Sequence, residues 1–173
     1  MVKKSSPQMG WVDINDTILE VMALTRRAVE SRRATLETEL SSGLPPVPGD
    51  RIQVQQVILN LVLNALESID ANDAAPRKVE IETGREGATD VRVTVRDSGK
   101  GLGPQALEQV FDAFYTTKPD GMGMGLAISR SIIQAHDGRL WAMPNTPRGA
   151  VFQFTLPIHR ETNSSVEQTL FTS

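Results

Sequence analysis

The sequence predicts an α+β fold, a two-layer α/β sandwich with about three main helices on one face of a mixed, mostly antiparallel sheet of about five strands. Three observations lead to this prediction. Apolar residues recur at helical spacing in three long segments, and about five shorter segments alternate apolar and polar residues. The two kinds of segment are grouped rather than strictly alternating, which favours helices packed on one face of a sheet.

The three long segments predict three helices, and the first and third of them carry a helix signal at one end. Asp13 can cap the first helix through its side chain. The second helix is predicted at about 50–69, where apolar residues form a broad face. The third is predicted at 125–136, and we expect Gly138 to end it as the glycine at C′.

The alternating segments predict the strands. Residues 34–40 form one strand, and 79–83 and 91–95 form a hairpin. Residues 140–143 and 150–158 are the last two strands. The remaining elements are a breaker run at 43–48, a loop at 71–77, a short helix at 104–110 and a loop at 111–124.

Length and composition limit the function classes. The chain has 173 residues and no cysteine, which fits one domain and excludes disulfides, thiolate zinc sites and a cysteine nucleophile. No stretch reaches the roughly 20 apolar residues of a membrane span. The net charge of -3 argues against a duplex DNA binder. We expect a cytoplasmic domain at 11–158, a leader or expression remnant at 1–10 and a flexible tail at 159–173.

A first glycine cluster follows the second strand of the predicted hairpin. Gly99 and Gly101 would let the backbone pass close to a ligand, and Asp97 at the strand end can accept a hydrogen bond at the base of a pocket. The alternative is a tight turn with an Asx cap.

A second glycine cluster, Gly121-Met-Gly123-Met-Gly125-Leu126, opens the third helix. A helix N-terminus preceded by glycines can bind an anion, because its free N–H groups and its dipole point at the ligand. The cluster matches neither the Rossmann fingerprint nor a Walker loop. The alternative is a flexible hinge.

The second helix carries a polar stripe opposite its apolar face. Asn60 and Asn64 lie one turn apart on this stripe, and a neutral amide oxygen suits a magnesium ion that also holds substrate phosphates. The alternative is that both side chains face water or cap a loop. Further along, the aromatics of Phe111-Asp-Ala-Phe-Tyr-Thr-Thr-Lys118 can pin one end of a loop, which leaves Lys118 able to reach a phosphate.

These four motifs, in this order, resemble the N, G1, F and G2 boxes of the ATP-binding catalytic domain of sensor histidine kinases. The likeness extends over about 11–158 and includes the closing Phe154-Thr-Leu-Pro157. Each motif alone is weak evidence for this family, whereas four motifs in this order, on the expected helices, strands and loops, are specific evidence for it. The resemblance implies the GHKL (Bergerat) fold, with ATP held between helices of the sandwich and a lid.

The resemblance also implies roles for individual residues. Asp97 would accept from the adenine amino group, Asn64 would ligate Mg²⁺ with Asn60 near the phosphates, and about 102–124 would be the ATP lid. The implied set of nucleotide-binding residues is Asn60, Asn64, Asp97, Gly99, Gly101, Lys118, Gly121, Gly123, Gly125 and Leu126. Glu67 and Ser68 stand where many members carry lysine and tyrosine, which leaves the roles of those two positions open.

The function implied is donation of the γ-phosphoryl group of Mg-ATP to a histidine on a separate dimerisation and phosphotransfer domain absent from this chain, and indirectly to a response regulator. The chain has only His136 and His159, and we expect neither to be the phospho-acceptor. As a fragment it is expected to be a monomer, to contact neither nucleic acid nor membrane, and to show no autophosphorylation.

Two other functions stay open. One is a GHKL-type ATPase, although those enzymes place a water-activating glutamate where this chain has Asn60. The other is a nucleotide-binding interaction module that docks a partner without phosphotransfer.

Overall fold

The computed structural model of the protein describes residues 6–70, 76–113, 115 and 125–159. This described part contains four helices and seven strands. In chain order they are β1 (Met9–Val12), α1 (Ile14–Ser31), β2 (Thr35–Glu39), β3 (Val47–Asp50), α2 (Arg51–Glu67), β4 (Lys78–Glu86), β5 (Asp90–Asp97), α3 (Pro104–Gln109), α4 (Gly125–Ala135), β6 (Arg139–Pro144) and β7 (Ala150–Pro157). The predicted tail beyond His159 and most of the loops predicted at 71–77 and 111–124 lie outside the described residues.

The main sheet has five strands in the order β2-β4-β5-β7-β6. Only β2 and β4 run parallel, and the three other neighbouring pairs are antiparallel. The predicted hairpin is the β4–β5 pair, in which Val79 lies opposite Asp97 and Glu86 lies opposite Asp90. These pairings confirm the mixed, mostly antiparallel five-stranded sheet.

The core lies between one face of this sheet and the helices. In β4 and β5 alternate residues point into it and are buried, while charged residues between them face outward. On the outer face Arg92 and Arg96 pair with Glu82, and Lys78 pairs with Glu37. Because one face is apolar and the other carries ion pairs, a slip of one residue in register would expose the core. The buried strand residues include Val79, Ile81, Val91, Val93, Val95, Phe152, Phe154 and Leu156.

The two longest helices begin at aspartate caps. The carboxylate of Asp13 accepts a hydrogen bond from the Asp16 N–H at 3.0 Å, which confirms the predicted start of α1. Asp50 caps α2 by accepting from the N–H groups of Ile52 and Gln53. Each cap satisfies N–H groups that have no partner inside the helix, and this fixes where the helix starts.

A small second sheet, which the sequence analysis did not predict, joins β1 to β3. Val12 lies opposite Val47, and both side chains are buried. The predicted breaker run therefore leads into a strand, because its last residues find a partner far away in sequence. This strand pairing also begins before the domain boundary predicted at residue 11, since Met9 and Gly10 already belong to β1.

The end of α4 differs in detail from the prediction. The residue with a left-handed backbone is Asp137, at φ 62°, rather than Gly138. The N–H of Gly138 donates to the carbonyl of Ile133 at 2.9 Å and closes the helix end. A Cβ at Gly138 would lie 2.1 Å from the carbonyl oxygen of Thr155, so glycine is needed here for close packing against β7.

Candidate functional site

Helix α2 carries the polar stripe that the sequence predicts. Its buried residues form one face, from Val54 to Leu66, and that face packs into the core. Asn60 and Asn64 lie outside this face, one turn apart and half-buried. The helix borders the start of α4 at Asn60 and the loop after β5 at its C-cap, Ser68.

Asp97, the last residue of β5, is buried, with 2% of its surface exposed. Its Oδ1 accepts hydrogen bonds from the N–H of Gly99 at 2.9 Å and from the N–H of Ala150 at 3.3 Å. Burial raises the pKa of the Asp97 carboxyl above its ordinary value, while hydrogen bonds from Gly99, Ser68 and Ala150 act in the opposite direction. A carboxyl held in this way, at a strand end, is an oriented acceptor.

The loop after Asp97 lies directly against the end of α2. A Cβ at Gly99 would lie 2.2 Å from Oγ of Ser68 and 2.6 Å from its carbonyl oxygen. The N–H of Lys100 donates to the same carbonyl at 3.3 Å. The first glycine of the cluster is thus required by this contact, and the small Ser68 side chain is what the loop packs on.

The turn between β6 and β7 forms a further wall, which the sequence analysis missed. Gly149 has φ +106°, and a Cβ there would lie 1.8 Å from the carbonyl oxygen of Asp97. Gly101, at φ +76°, lies on the other side of this contact, since a Cβ at Gly101 would lie 2.9 Å from the Gly149 carbonyl oxygen. Gly149, shortly after Pro147, is the feature of the sequence that indicates a tight turn here.

The other end of the candidate site lies where α2 meets the start of α4. The Nδ2 of Asn60 donates to the carbonyl of Gly125 at 3.3 Å and to Oγ of Ser129 at 3.2 Å. Oγ of Ser129 in turn donates to the Gly125 carbonyl at 2.8 Å. These bonds bring the first asparagine and the last glycine of the second cluster together. Asn64 follows one turn later on the same helix.

The structure places part of the predicted set of site residues. Lys118, Gly121 and Gly123 lie outside the described residues. Leu126 is half-buried and packs against the hydrophobic core as the second residue of α4. The others form two groups along α2, with Asp97, Gly99 and Gly101 at its C-terminal end and Asn60 with Gly125 near its middle. Asn64 lies on the helix between these groups, one turn after Asn60.

The first residue of the loop predicted at 111–124, which lies within the segment expected to be the lid, is anchored to the core. The ring of Phe111 meets that of Phe152 edge to face, with centroids 6.1 Å apart. The guanidinium of Arg130, on α4, lies over the Phe111 ring at 5.5 Å. Phe111 therefore joins β7 and α4, as expected of an aromatic that pins one end of a loop.

His136 is a structural residue in this fold. It is buried, its Nε2 accepts from the N–H of Asp50 at 3.0 Å, and its Nδ1 lies 2.7 Å from the carbonyl oxygen of Ile132. Because Nε2 accepts, Nδ1 carries the hydrogen, and its N–H donates a hydrogen bond to that carbonyl. With both ring nitrogens engaged, His136 ties the end of α4 to the start of α2. His159, by contrast, is exposed.

Comparison with known proteins agrees with this geometry. The family described as "Histidine kinase-, DNA gyrase B-, and HSP90-like ATPase" matches residues 49–160, a range that includes α2, β5 and α4. The chain belongs to this family. Within it, the chain is an ATP-binding catalytic domain of the sensor histidine kinase type.

Individual relatives and solved structures support this assignment. The sensor protein FixL of Bradyrhizobium diazoefficiens is 41% identical over 145 residues, which cover 83% of this chain and 28% of FixL. The catalytic domain of histidine kinase ThkA superposes with a TM-score of 0.77 at 32% identity, covering 87% of this chain and 98% of that one. Full-length ShkA, in complex with AMPPNP, gives a TM-score of 0.77 at 27% identity, covering 88% of this chain and 32% of ShkA.

The chain spans about a third or less of the length of the curated relatives it matches. Among the described residues, no helix combines the length and the apolar character that a membrane span requires.

Proposed function

We propose that this domain binds ATP with Mg²⁺ along α2 and donates the γ-phosphoryl group to a histidine on a separate helical dimerisation domain. The observation that carries the proposal is that one helix borders both groups of predicted ligand residues. Ser68, at the C-cap of α2, contacts the Gly99 loop, and Asn60 contacts Gly125. Asn60 and Ser68 lie about 12 Å apart along the helix axis, a span that a nucleoside triphosphate can bridge.

At the first end, Asp97 would select the base. Its carboxylate is an acceptor, so it suits the exocyclic amino group of adenine and opposes the carbonyl at the same ring position of guanine. The amides of Gly99 and Ala150 hold one carboxylate oxygen in place. Because Asp97 is buried, a base that offers no hydrogen-bond donor to its carboxylate would leave a buried polar group without a partner. This cost would set the preference for adenine over guanine.

At the second end, the side chains suit phosphates and a hard cation. Amide oxygens of asparagine are ligands that Mg²⁺ accepts, and Asn64 would supply one, with Asn60 beside it. Bound Mg²⁺ would neutralise charge on the phosphates during transfer. Gly125, at the start of α4, would present its N–H toward the phosphates at a helix N-terminus, where the dipole favours anions.

The residues on α2 favour transfer over hydrolysis. Asn60 cannot act as a general base at neutral pH, and its amide nitrogen is already engaged with Gly125 and Ser129. The chain would therefore act by binding and orienting the nucleotide rather than by activating water. Both nitrogens of His136 are engaged and the ring is buried, which argues that the acceptor histidine belongs to another domain.

The relatives suggest the partners. ThkA has been solved in complex with the response regulator protein TrrA. By analogy, we propose that the phosphoryl group passes from the histidine of the dimerisation domain to a response regulator. The bound AMPPNP of ShkA supports the choice of an adenine nucleotide in this proposal.

A thermal-melt titration tests the nucleotide site. ADP or AMPPNP with Mg²⁺, at about a hundred times the dissociation constant, should stabilise the domain by about 2.7 kcal/mol, a shift of about 5–10 °C. GTP should give a much smaller shift. Asp97→Asn should abolish the shift, whereas Asp90→Asn, the same change at the opposite end of β5, should preserve it.

Phosphotransfer needs its own assay. The domain is mixed with ATP radiolabelled at the γ-phosphate and with a helical dimerisation domain of a sensor histidine kinase. Labelled phosphate should appear on a histidine of the dimerisation domain. Stable label on His136 or His159 would contradict the assignment of the acceptor. A clear melt shift without any transfer would favour the alternative function, a nucleotide-binding interaction module.

A further inference from the structure

The β6–β7 turn holds the main chain of Asp97 through a side chain. The pairing of β5 with β7 ends at Arg96 opposite Val151, one residue before Asp97. The carbonyl of Asp97 instead accepts a hydrogen bond from Nδ2 of Asn145 at 2.9 Å. A side-chain donor thus replaces the next bond of the sheet ladder, at the residue whose carboxylate would read the base.

Asn145 is itself held in place. Its N–H donates to the carbonyl of Gly149 at 3.0 Å, and its Oδ1 accepts from the N–H of Thr146 at 3.0 Å. The side chain is therefore fixed at both its oxygen and its nitrogen. Since the same turn supplies the Ala150 N–H to Oδ1 of Asp97, it holds both the carbonyl and the carboxylate of that residue.

We propose that Asn145 is a positioning residue for base recognition, which orients Asp97 toward the amino group of adenine by holding its carbonyl. The inference rests on the proposed function, because it assumes that Asp97 receives that amino group. A carboxylate on a free strand end can turn about its backbone, whereas one whose main chain is bonded on the β7 side keeps its direction. Preorganisation of this kind improves affinity for the one ligand group that uses it.

The test compares two ligands that differ only in the 6-amino group, ADP and purine riboside 5′-diphosphate, by titration calorimetry with Mg²⁺. Asn145→Asp keeps an oxygen for the Thr146 N–H but turns the donor that faces the Asp97 carbonyl into an acceptor. We expect ADP to bind this variant at least about tenfold more weakly. The affinity for the ligand without the amino group should change less than about threefold.

Asn15→Asp is the matched control. Asn15 also donates to a main-chain carbonyl, that of Ser41 at 2.8 Å, and accepts from Oγ1 of Thr83, but it lies on α1. It should lower stability in a similar way and leave both affinities unchanged. Asn145→Ala, which removes the donor without adding a charge, is the second variant and should weaken ADP binding in the same selective way.

Three results would overturn the inference. Equal loss of both affinities in the Asn145 variants would make the residue a general support of the fold. No loss of either affinity would show that the carbonyl bond does not matter for binding. If the wild-type domain bound both ligands equally, the proposed role of Asp97 would fail first and the inference with it, a result distinct from the other two.

Discussion

The buried carboxyl of Asp97 lowers the stability of the domain when it is ionised, and it offers a hydrogen-bond acceptor for a ligand. The residue is almost fully buried, and burial raises the pKa of its carboxyl against the action of the hydrogen bonds that it accepts. A group whose charged form is disfavoured in the folded state reduces stability when it ionises. The domain tolerates this cost at a position where the charge would recognise a ligand, and desolvated groups of this kind are concentrated at functional sites.

The raised pKa predicts a pH dependence. The folded state binds the proton of Asp97 more tightly than the unfolded state, so the free energy of unfolding falls as pH rises from about the ordinary value of 3.8 through the raised pKa. Asp97→Asn has no such proton. The stability of this variant relative to wild type should therefore increase as pH rises across that window, when measured by urea unfolding. A difference that is constant with pH would contradict the assignment.

Substitution of Gly149 should strongly lower the free energy of unfolding. Alanine at this position would place its Cβ against the carbonyl of Asp97 at a backbone φ of +106°, and Gly149→Ala should cost about 3 kcal/mol or more. Gly87→Ala is the control, because Gly87 also has a positive φ but no atom within 4 Å of the added Cβ. It should cost about 1–2 kcal/mol. Equal losses in urea unfolding would show that the contact with Asp97 is unimportant.

At the scale of elements, hydrogen bonds at two positions along α2 fix the position of α4 relative to it. Asn60 joins the middle of α2 to the start of α4, and His136 joins the end of α4 to Asp50 at the start of α2. Asp50 also accepts from the N–H of Gln8, so the segment before β1 reaches the same junction. In the proposed function these helices carry the two sides of the phosphate end, and their relative position would decide whether both can contact one ligand.

His136 predicts a stability effect of this junction. His136→Leu keeps most of the buried volume but leaves the N–H of Asp50 without an acceptor, which should cost about 1–3 kcal/mol. His159→Leu makes the same change at an exposed residue and should lie within about 0.5 kcal/mol of wild type. Urea unfolding of both variants measures the difference. A neutral result for His136→Leu would mean that packing alone holds α4 against α2.

At the scale of the whole molecule, one core unites the helices and the inner face of the sheet. It extends from Val12 on β1 through α2 to Phe152 and Phe154 on β7. Residues from both ends of the described chain thus contribute to the same apolar layer. A domain built this way is expected to unfold in a single cooperative transition.

Phe154 and Trp11 provide the test of this core. Phe154 is fully buried in the middle of β7, and Phe154→Ala should lower the free energy of unfolding by about 3–5 kcal/mol. Trp11 is 68% exposed, so Trp11→Ala removes a larger ring at much smaller cost, below about 1 kcal/mol. Two separate transitions in the urea curve of the wild type would contradict a single core.

The elements that could be predicted are those with a local signal. α1 and α2 have long helical periodicity and aspartate caps, and the β4–β5 hairpin has alternation on both sides of a short turn. The β1–β3 pair was missed because four-residue strands carry little pattern and depend on a distant partner. Local sequence predicts Gly138 as the C′ residue of α4, but the left-handed backbone is at Asp137, and packing against Thr155 is what requires the glycine.

The sequence by itself determined the fold class, the helices and the residue types of the candidate nucleotide site, because periodicity, caps and glycine clusters are local properties of the chain. Only the tertiary structure decided which residues meet. It brought the β6–β7 turn against Asp97, so that Asn145 and Gly149 border the candidate site. It also joined His136 to Asp50 across 86 positions of sequence. Such contacts depend on how strands pair and helices pack, and no local pattern of residues encodes them.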